Sequence, residues 1–201
     1  MSLNSDRDTG ITYTKLHCLL VNLTFVLLIT VLFSTLFSLS AYAASTNIPS
    51  VKNEFINYEN ASEGIKIDYP KGWTPIKQYE LAFLSPKENY SDTFREGLVV
   101  AKGSIANESI DKLAERVLRF YNSSLIDYRL NESKGITIHG NPAQSLIYTF
   151  SIPDNGTIKA LDLGTTENNR VYVFRYTAQE SKFDSYLPTI EKMIDSFKSL
   201  E

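Results

Sequence analysis

From residue 55 onward, apolar positions recur with two periods. In Gly64-Ile65-Lys66-Ile67-Asp68-Tyr69-Pro70-Lys71-Gly72-Trp73, Ile65, Ile67 and Tyr69 alternate with Lys66 and Asp68, the period of a half-buried strand. This stretch reads as the first strand of a domain. Pro70 ends it, having no N–H to give a ladder, and Gly72 supplies the backbone freedom of a turn. Trp73 then folds back over the sheet as a core or sheet-edge aromatic, with ligand stacking as the alternative use of its ring.

The rest of the pattern follows in chain order. Leu81–Ser85 is a short apolar strand stopped by Pro86. Residues 86–95 are polar and form a loop, and Gly97–Ile105 is a central strand, apolar on both faces. Asn107 or Ser109 can cap a helix in which Ile110, Leu113, Ala114, Val117, Leu118 and Tyr121 recur at helical spacing. Leu125–Leu130 reads as a further short strand, and Gly135–His139 leads through Gly140-Asn141-Pro142 into a strand over 143–152. Pro153-Asp154-Asn155-Gly156 is a hairpin turn. Thr157–Gly164 returns, Glu167-Asn168-Asn169 turns again, and Val171–Thr177 completes a three-strand antiparallel meander. Its aromatic face, with Tyr172, Phe174 and Tyr176, suits a packed helix. The closing helix carries Phe183, Leu187, Ile190, Ile194 and Phe197 on one stripe, with Pro188 expected in its first turn, where a missing N–H costs little.

The leader sets the compartment. Residues 19–39 are almost entirely apolar or hydroxylated and would span about 31 Å as a helix. Arg7 and Lys15 precede the run, and the first basic residue beyond it is Lys52, which keeps the N-terminus inside and sends the rest out. Ala41-Tyr42-Ala43 is a small-x-small cleavage pattern. Residues 1–43 are therefore a signal peptide cleaved after Ala43 or, since the run is long for a signal, an uncleaved anchor. Residues 44–54 have a linker's composition, and 55–201 form the domain. The chain of 201 residues is 43% apolar with net charge −3, enough for one globular core. Without a basic run it has no nucleic-acid footprint. Its one cysteine, Cys18, precedes the apolar run, so it is not a lipoprotein cysteine, and the exported part has no disulfide.

Phe55-x-x-Tyr58-x-Asn60-x-Ser62-x-Gly64, followed by Tyr69-Pro70-x-Gly72-Trp73, resembles the opening of PsbP-type domains, the extrinsic proteins of the oxygen-evolving side of photosystem II. The closing Ser196-Phe197-Lys198 is similar to that family's ending. The likeness spans roughly residues 53–200. It implies an α+β fold, an α/β/α sandwich around a central antiparallel sheet, shared with a Ran-binding nuclear import factor. The leader lacks the Arg- and Ser-rich character of a transit peptide, which places the chain with relatives in non-photosynthetic prokaryotes. The resemblance brings an association with calcium or manganese, but no family ligand maps onto a matching position.

No catalytic constellation is legible. The exported part has one histidine, His139, and no Gly-x-Ser-x-Gly, so a nucleophile has no base. A lone His beside a Gly-Asn-Pro turn reads as a surface or capping residue. Zinc and phosphate-loop patterns are absent from the sequence. Glu88, Asn89, Ser91, Asp92 and Glu96, and separately Asp154 and Asn155, gather oxygens without calcium-loop spacing. Six Asn-x-Ser/Thr sequons, at Asn60, Asn89, Asn107, Asn122, Asn131 and Asn155, exceed the roughly two that composition would give and suit a glycosylated extracytoplasmic domain. The expectation is an exported, membrane-associated, non-enzymatic accessory domain that docks on a membrane complex. Trp73 with Tyr79, or the acidic 86–96 loop, is its expected interaction surface. The alternatives are a divalent-cation (calcium or manganese) or small-ligand binding protein, a carboxylate hydrolase, and a structural envelope component.

Overall fold

The computed structural model describes residues 54–77, 80–104 and 108–200. The leader with its apolar run, linker residues 44–53, Tyr79 and Asn107 lie outside them. Among the described residues no helix is long and apolar enough to cross a membrane.

The alternating stretch is a strand, β2 (Ile65–Pro70), with Ile65, Ile67 and Tyr69 buried. It is not the first strand. Phe55–Asn60 forms β1 and pairs with it antiparallel, Phe55 opposite Pro70. β1 lies at a sheet edge and meets the core through Phe55 and Tyr58, three residues apart, so it lacks the period-two signal that identifies a strand.

Seven antiparallel strands make the main sheet: β3 (Thr74–Lys77), β4 (Leu81–Leu84), β5 (Gly97–Ser104), β6 (Ile126–Ile138), β7 (Asn141–Ile152), β8 (Gly156–Glu167) and β9 (Arg170–Gln179), in the order β3-β4-β5-β9-β8-β7-β6. The short strand expected at Leu125–Leu130 runs on through the Gly135–His139 stretch as one strand, β6, so the meander has four strands. The polar Asn131–Lys134 segment joining them is exposed, because β6 is an edge strand whose middle meets no core. With no face to bury, it carries no hydrophobic period. Register shifts at Ile126/Arg129 and Leu130/Glu132 twist this edge further.

Alternation along β9 assigns the two faces. Tyr172, Phe174, Tyr176 and Ala178, each fully buried, point to one side together with Leu98 and Val100 of β5 and Leu161 and Leu163 of β8. There they meet helix α2 (Phe183–Ser196) and β2 in the larger core. On the other side Tyr148 and Ala160 pair across β7 and β8 and pack with Tyr121 of helix α1 (Ile110–Ser124). One helix on each face gives the α/β/α sandwich. Ser109 caps α1, its hydroxyl oxygen accepting the Lys112 N–H. A two-residue strand, β10 (Lys198–Ser199), joins β2.

Helix α2 includes Phe183, as its apolar stripe implies, so Pro188 lies inside the helix and not in its first turn. Phe183 fixes the start. Its side chain is buried, its ring lies 4.7 Å from that of Tyr176, and its carbonyl accepts the Tyr176 hydroxyl at 2.8 Å. Those anchors outweigh the lost hydrogen bond to the Asp184 carbonyl, and Pro188 faces solvent.

β5 and β4 approach closely at Gly97. A Cβ there would lie 2.7 Å from Leu84 Cδ2 and 2.9 Å from the Phe83 carbonyl oxygen. Gly97→Ala is expected to cost about 1–3 kcal/mol, the scale of overpacking, as a shift in the urea midpoint at constant slope. An unchanged midpoint would show that β4 yields there freely.

Candidate interaction surface

At one end of the main sheet β4 ends at Leu84, β5 begins at Gly97, β7 and β8 turn at 153–155, and β9 ends at Gln179. The 85–96 loop crosses this end and is held at many points. Phe94 is buried. Arg95 Nε donates to the Ser85 carbonyl at 2.5 Å, and its Nη2 donates to the Leu84 carbonyl and to Thr74 Oγ1. Burial pulls the Arg95 guanidinium below its ordinary range, with Asp92 opposing. Asn89 Oδ1 accepts from the Ser91 N–H and hydroxyl, and Asp92 accepts from the Glu88 and Phe94 N–H groups, the side-chain turns these residue types favour. Thr93 Oγ1 donates to Asn155 Oδ1 at 2.7 Å, which ties this loop to the 153–155 turn.

Trp73 stands beside the loop. Its N–H donates to the Pro70 carbonyl at 3.0 Å, closing a turn in which Gly72 has φ +101°. The indole is half-buried against the larger core, 6.0 Å from the Tyr186 ring at 60°. The Tyr186 hydroxyl lies 3.5 Å from Glu88 Oε1 as its donor. Lys182 Nζ lies 3.0 Å from Glu88 and 3.5 Å from Glu96. Glu96 is fully buried and accepts the Ser85 hydroxyl at 3.4 Å. Burial, then the Glu96 and Glu88 carboxylates, raise the Tyr186 hydroxyl. Burial pulls Lys182 down, but its hydrogen bond to Glu88 and the charges of Glu96, Glu88 and Asp92 carry it above its ordinary value. The two places singled out in the sequence, Trp73 and the acidic loop, thus lie together, joined by Tyr186 of the distant closing helix and by Lys182 at its N-cap.

A second polar cluster escaped the sequence reading. Asp162 of β8 and Arg175 of β9 face each other in register beneath α1. Asp162 also accepts the Tyr121 and Tyr148 hydroxyls, at 2.6 and 3.3 Å. The signal was present: Leu161-Asp162-Leu163 and Phe174-Arg175-Tyr176 each put one charge inside an apolar strand, where a charge needs a partner. Having bound one another, these groups serve the packing of α1.

The other candidates stay apart from the surface. His139 is exposed at φ +49°, with Nε2 3.1 Å from the Asp195 carbonyl oxygen, so it caps the end of α2. It rims a cleft of about 220 Å³ with Ile136, Thr137, Leu163, Glu191, Ile194 and Asp195. Among the described residues no three His, Cys, Asp or Glu side chains are gathered to hold a metal ion. Of the sequons, Asn89, Asn122 and Asn131 are exposed, while Asn60 and Asn155 are half-buried.

A family model described as PsbP matches residues 53–199. The solution structure of cyanobacterial PsbP (CyanoP) from Synechocystis sp. PCC 6803 superposes with a TM-score of 0.56 at 16% identity, covering 77% of this chain and 98% of that one. The crystal structure of PA94, a protein of unknown function from Pseudomonas aeruginosa, superposes with a TM-score of 0.52 at 16% identity, covering 71% and 94%. At these identities the two structures establish the fold. No curated protein matches the chain.

Proposed function

This chain belongs to the PsbP family, and from that premise we propose that it is an exported, membrane-associated accessory domain without catalytic activity, docking on a membrane complex through the Trp73 and 86–96 surface. PsbP-like proteins in general associate with membrane complexes, and the apolar run at 19–39 would bring this one to the outer face of the membrane. The observation that carries the choice of surface is the Trp73–Tyr186–Glu88–Lys182 chain of contacts. It holds an aromatic ring and a charged loop in fixed relation, and a half-exposed ring on a rigid support is a strong binding element. The exposed sequons at Asn122 and Asn131 would carry glycans away from it.

Capture from gently solubilised native membranes, with residues 44–201 as bait, tests this reading. A stoichiometric membrane complex is expected in the eluate, and Trp73→Ala is expected to deplete it. If Trp73→Ala keeps both the fold and the complex, Trp73 is not part of the docking surface. The cation-binding alternative predicts a higher melting temperature in millimolar Ca²⁺ or Mn²⁺, since binding the native state stabilises it. The loop oxygens are already committed to Lys182 and to backbone N–H groups, so no shift is expected.

A further inference from the structure

Resting on that docking reading, we infer that this end of the sheet binds a basic, Lys- and Arg-rich protein segment and that Tyr90 is its anchor. Tyr90 is 63% exposed, the most exposed large apolar side chain among the described residues. It stands at the tip of the loop tied down by Phe94, Arg95, Asp92 and the Thr93–Asn155 bond. A flexible loop would lose ordering entropy on binding, and this one is already ordered. A tyrosine offers a large contact area with few rotamers to freeze and a hydroxyl to satisfy at the partner. The ring belongs to neither core cluster and so is free to meet a partner.

The charges around the ring decide the partner's sign. On the loop and the adjoining strand and helix ends, the carboxylates of Glu88, Asp92, Glu96, Asp154, Glu180 and Asp184 outnumber the cations of Lys87, Arg95, Lys159 and Lys182. Lys182 is spent on Glu88 and Glu96, and Lys159 on Asp184. The net field is negative, which steers a basic segment in and lowers its off-rate little. An anionic lipid surface would be repelled, since bilayers attract basic protein segments. The partner is therefore a protein segment rather than the membrane itself. Asn89 adjoins the ring, and its carboxamide folds the turn, so the inference requires this sequon to be unglycosylated.

The test uses the full chain in its own membranes, with the photo-crosslinker benzoylphenylalanine at position 90. A crosslink to a Lys- or Arg-rich segment is expected. Tyr90→Ala should lower the recovered complex roughly 30-fold, the scale of a hot-spot anchor, with melting unchanged because the ring is exposed. Asp154→Lys with Asp184→Lys should lower it further and flatten its salt dependence. A complex recovered undiminished with Tyr90→Ala would overturn the anchor and leave the docking reading standing. A crosslink to a neutral or acidic segment, or a glycan on Asn89 in the native protein, would also overturn it. Failure of the unsubstituted chain to capture any complex would remove both readings together.

Discussion

Asp162→Ala is expected to cost the folded domain about 3–5 kcal/mol, the scale of removing one partner from a buried ion pair. Asp162 is 4% exposed, and all its acceptor capacity is in use. Arg175 donates through Nε to Oδ1 at 2.8 Å and through Nη2 to Oδ2 at 2.9 Å, a bidentate grip. Tyr121 donates to Oδ2 and Tyr148 to Oδ1, and Arg175 also donates to the Tyr121 hydroxyl and lies over its ring. Deleting the carboxylate strands a guanidinium and two hydroxyls between α1 and the sheet. The joint change Asp162→Leu with Arg175→Met removes both charges and is expected to restore much of the loss, the non-additivity that marks a coupled pair. Urea denaturation of the two variants checks this. A double variant no more stable than Asp162→Ala would show that the aspartate acts through packing alone.

The same cluster sets an alkaline limit. Burial, partly offset by the charge of Arg175 and reinforced by that of Asp162, holds the Tyr121 hydroxyl well above its ordinary value, and burial and Asp162 raise Tyr148. In the unfolded chain both ionise near pH 10. Folded pKa values above unfolded ones mean that their stabilisation is complete below about pH 10 and is lost as pH rises through the folded values. Stability should therefore be flat across neutral pH in this respect and fall above about pH 10. Phenolate absorbance of these two rings should appear only with unfolding.

Where a strand buries one face, its residues announced it. β2 and β9 were legible because Ile65, Ile67, Phe174 and Tyr176 alternate with less buried neighbours, and β4 and β5 because each is a short apolar run bounded by polar residues. β1 and the middle of β6 lie at edges and bury too little to show a period, so one was passed over and the other cut short. Pro188 was expected in the first turn of α2 because the local rule for proline cannot weigh the docking of Phe183, which starts the helix five residues earlier. The proposed surface was half legible: Trp73 and the 86–96 loop stood out by composition, but their contact depends on Tyr186 and Lys182, which meet them only through the fold. Tyr90 carried no signal of its own. Only its exposure on an otherwise anchored loop gives it meaning.

Phe197→Ala is expected to cost about 3–5 kcal/mol, the scale of an aromatic truncation in a core. Phe197 is 3% exposed, with its ring 4.9 Å from Phe174 and 5.0 Å from Tyr172. The residues beside it work to the same end. Ser196 Oγ accepts the Asp68 N–H at 2.9 Å and donates to the Met193 carbonyl at 2.6 Å. Lys198 and Ser199 pair with Lys66 and Ile65, and the Leu200 N–H donates to the Gly64 carbonyl at 2.9 Å. The closing Ser196-Phe197-Lys198 is thus a clasp on β2, the strand at the heart of the opening motif, and the two motifs belong together because they touch. Ser196→Ala should cost about 1 kcal/mol, one hydrogen bond's net worth, and should raise hydrogen exchange at the Asp68 amide. If the tail were only a fraying end, Phe197→Ala would cost less than about 1 kcal/mol and leave that amide protected. A large loss in Phe197→Ala with faster exchange along 65–70 would instead show that the last residues of the chain hold its first long-range pairing in place.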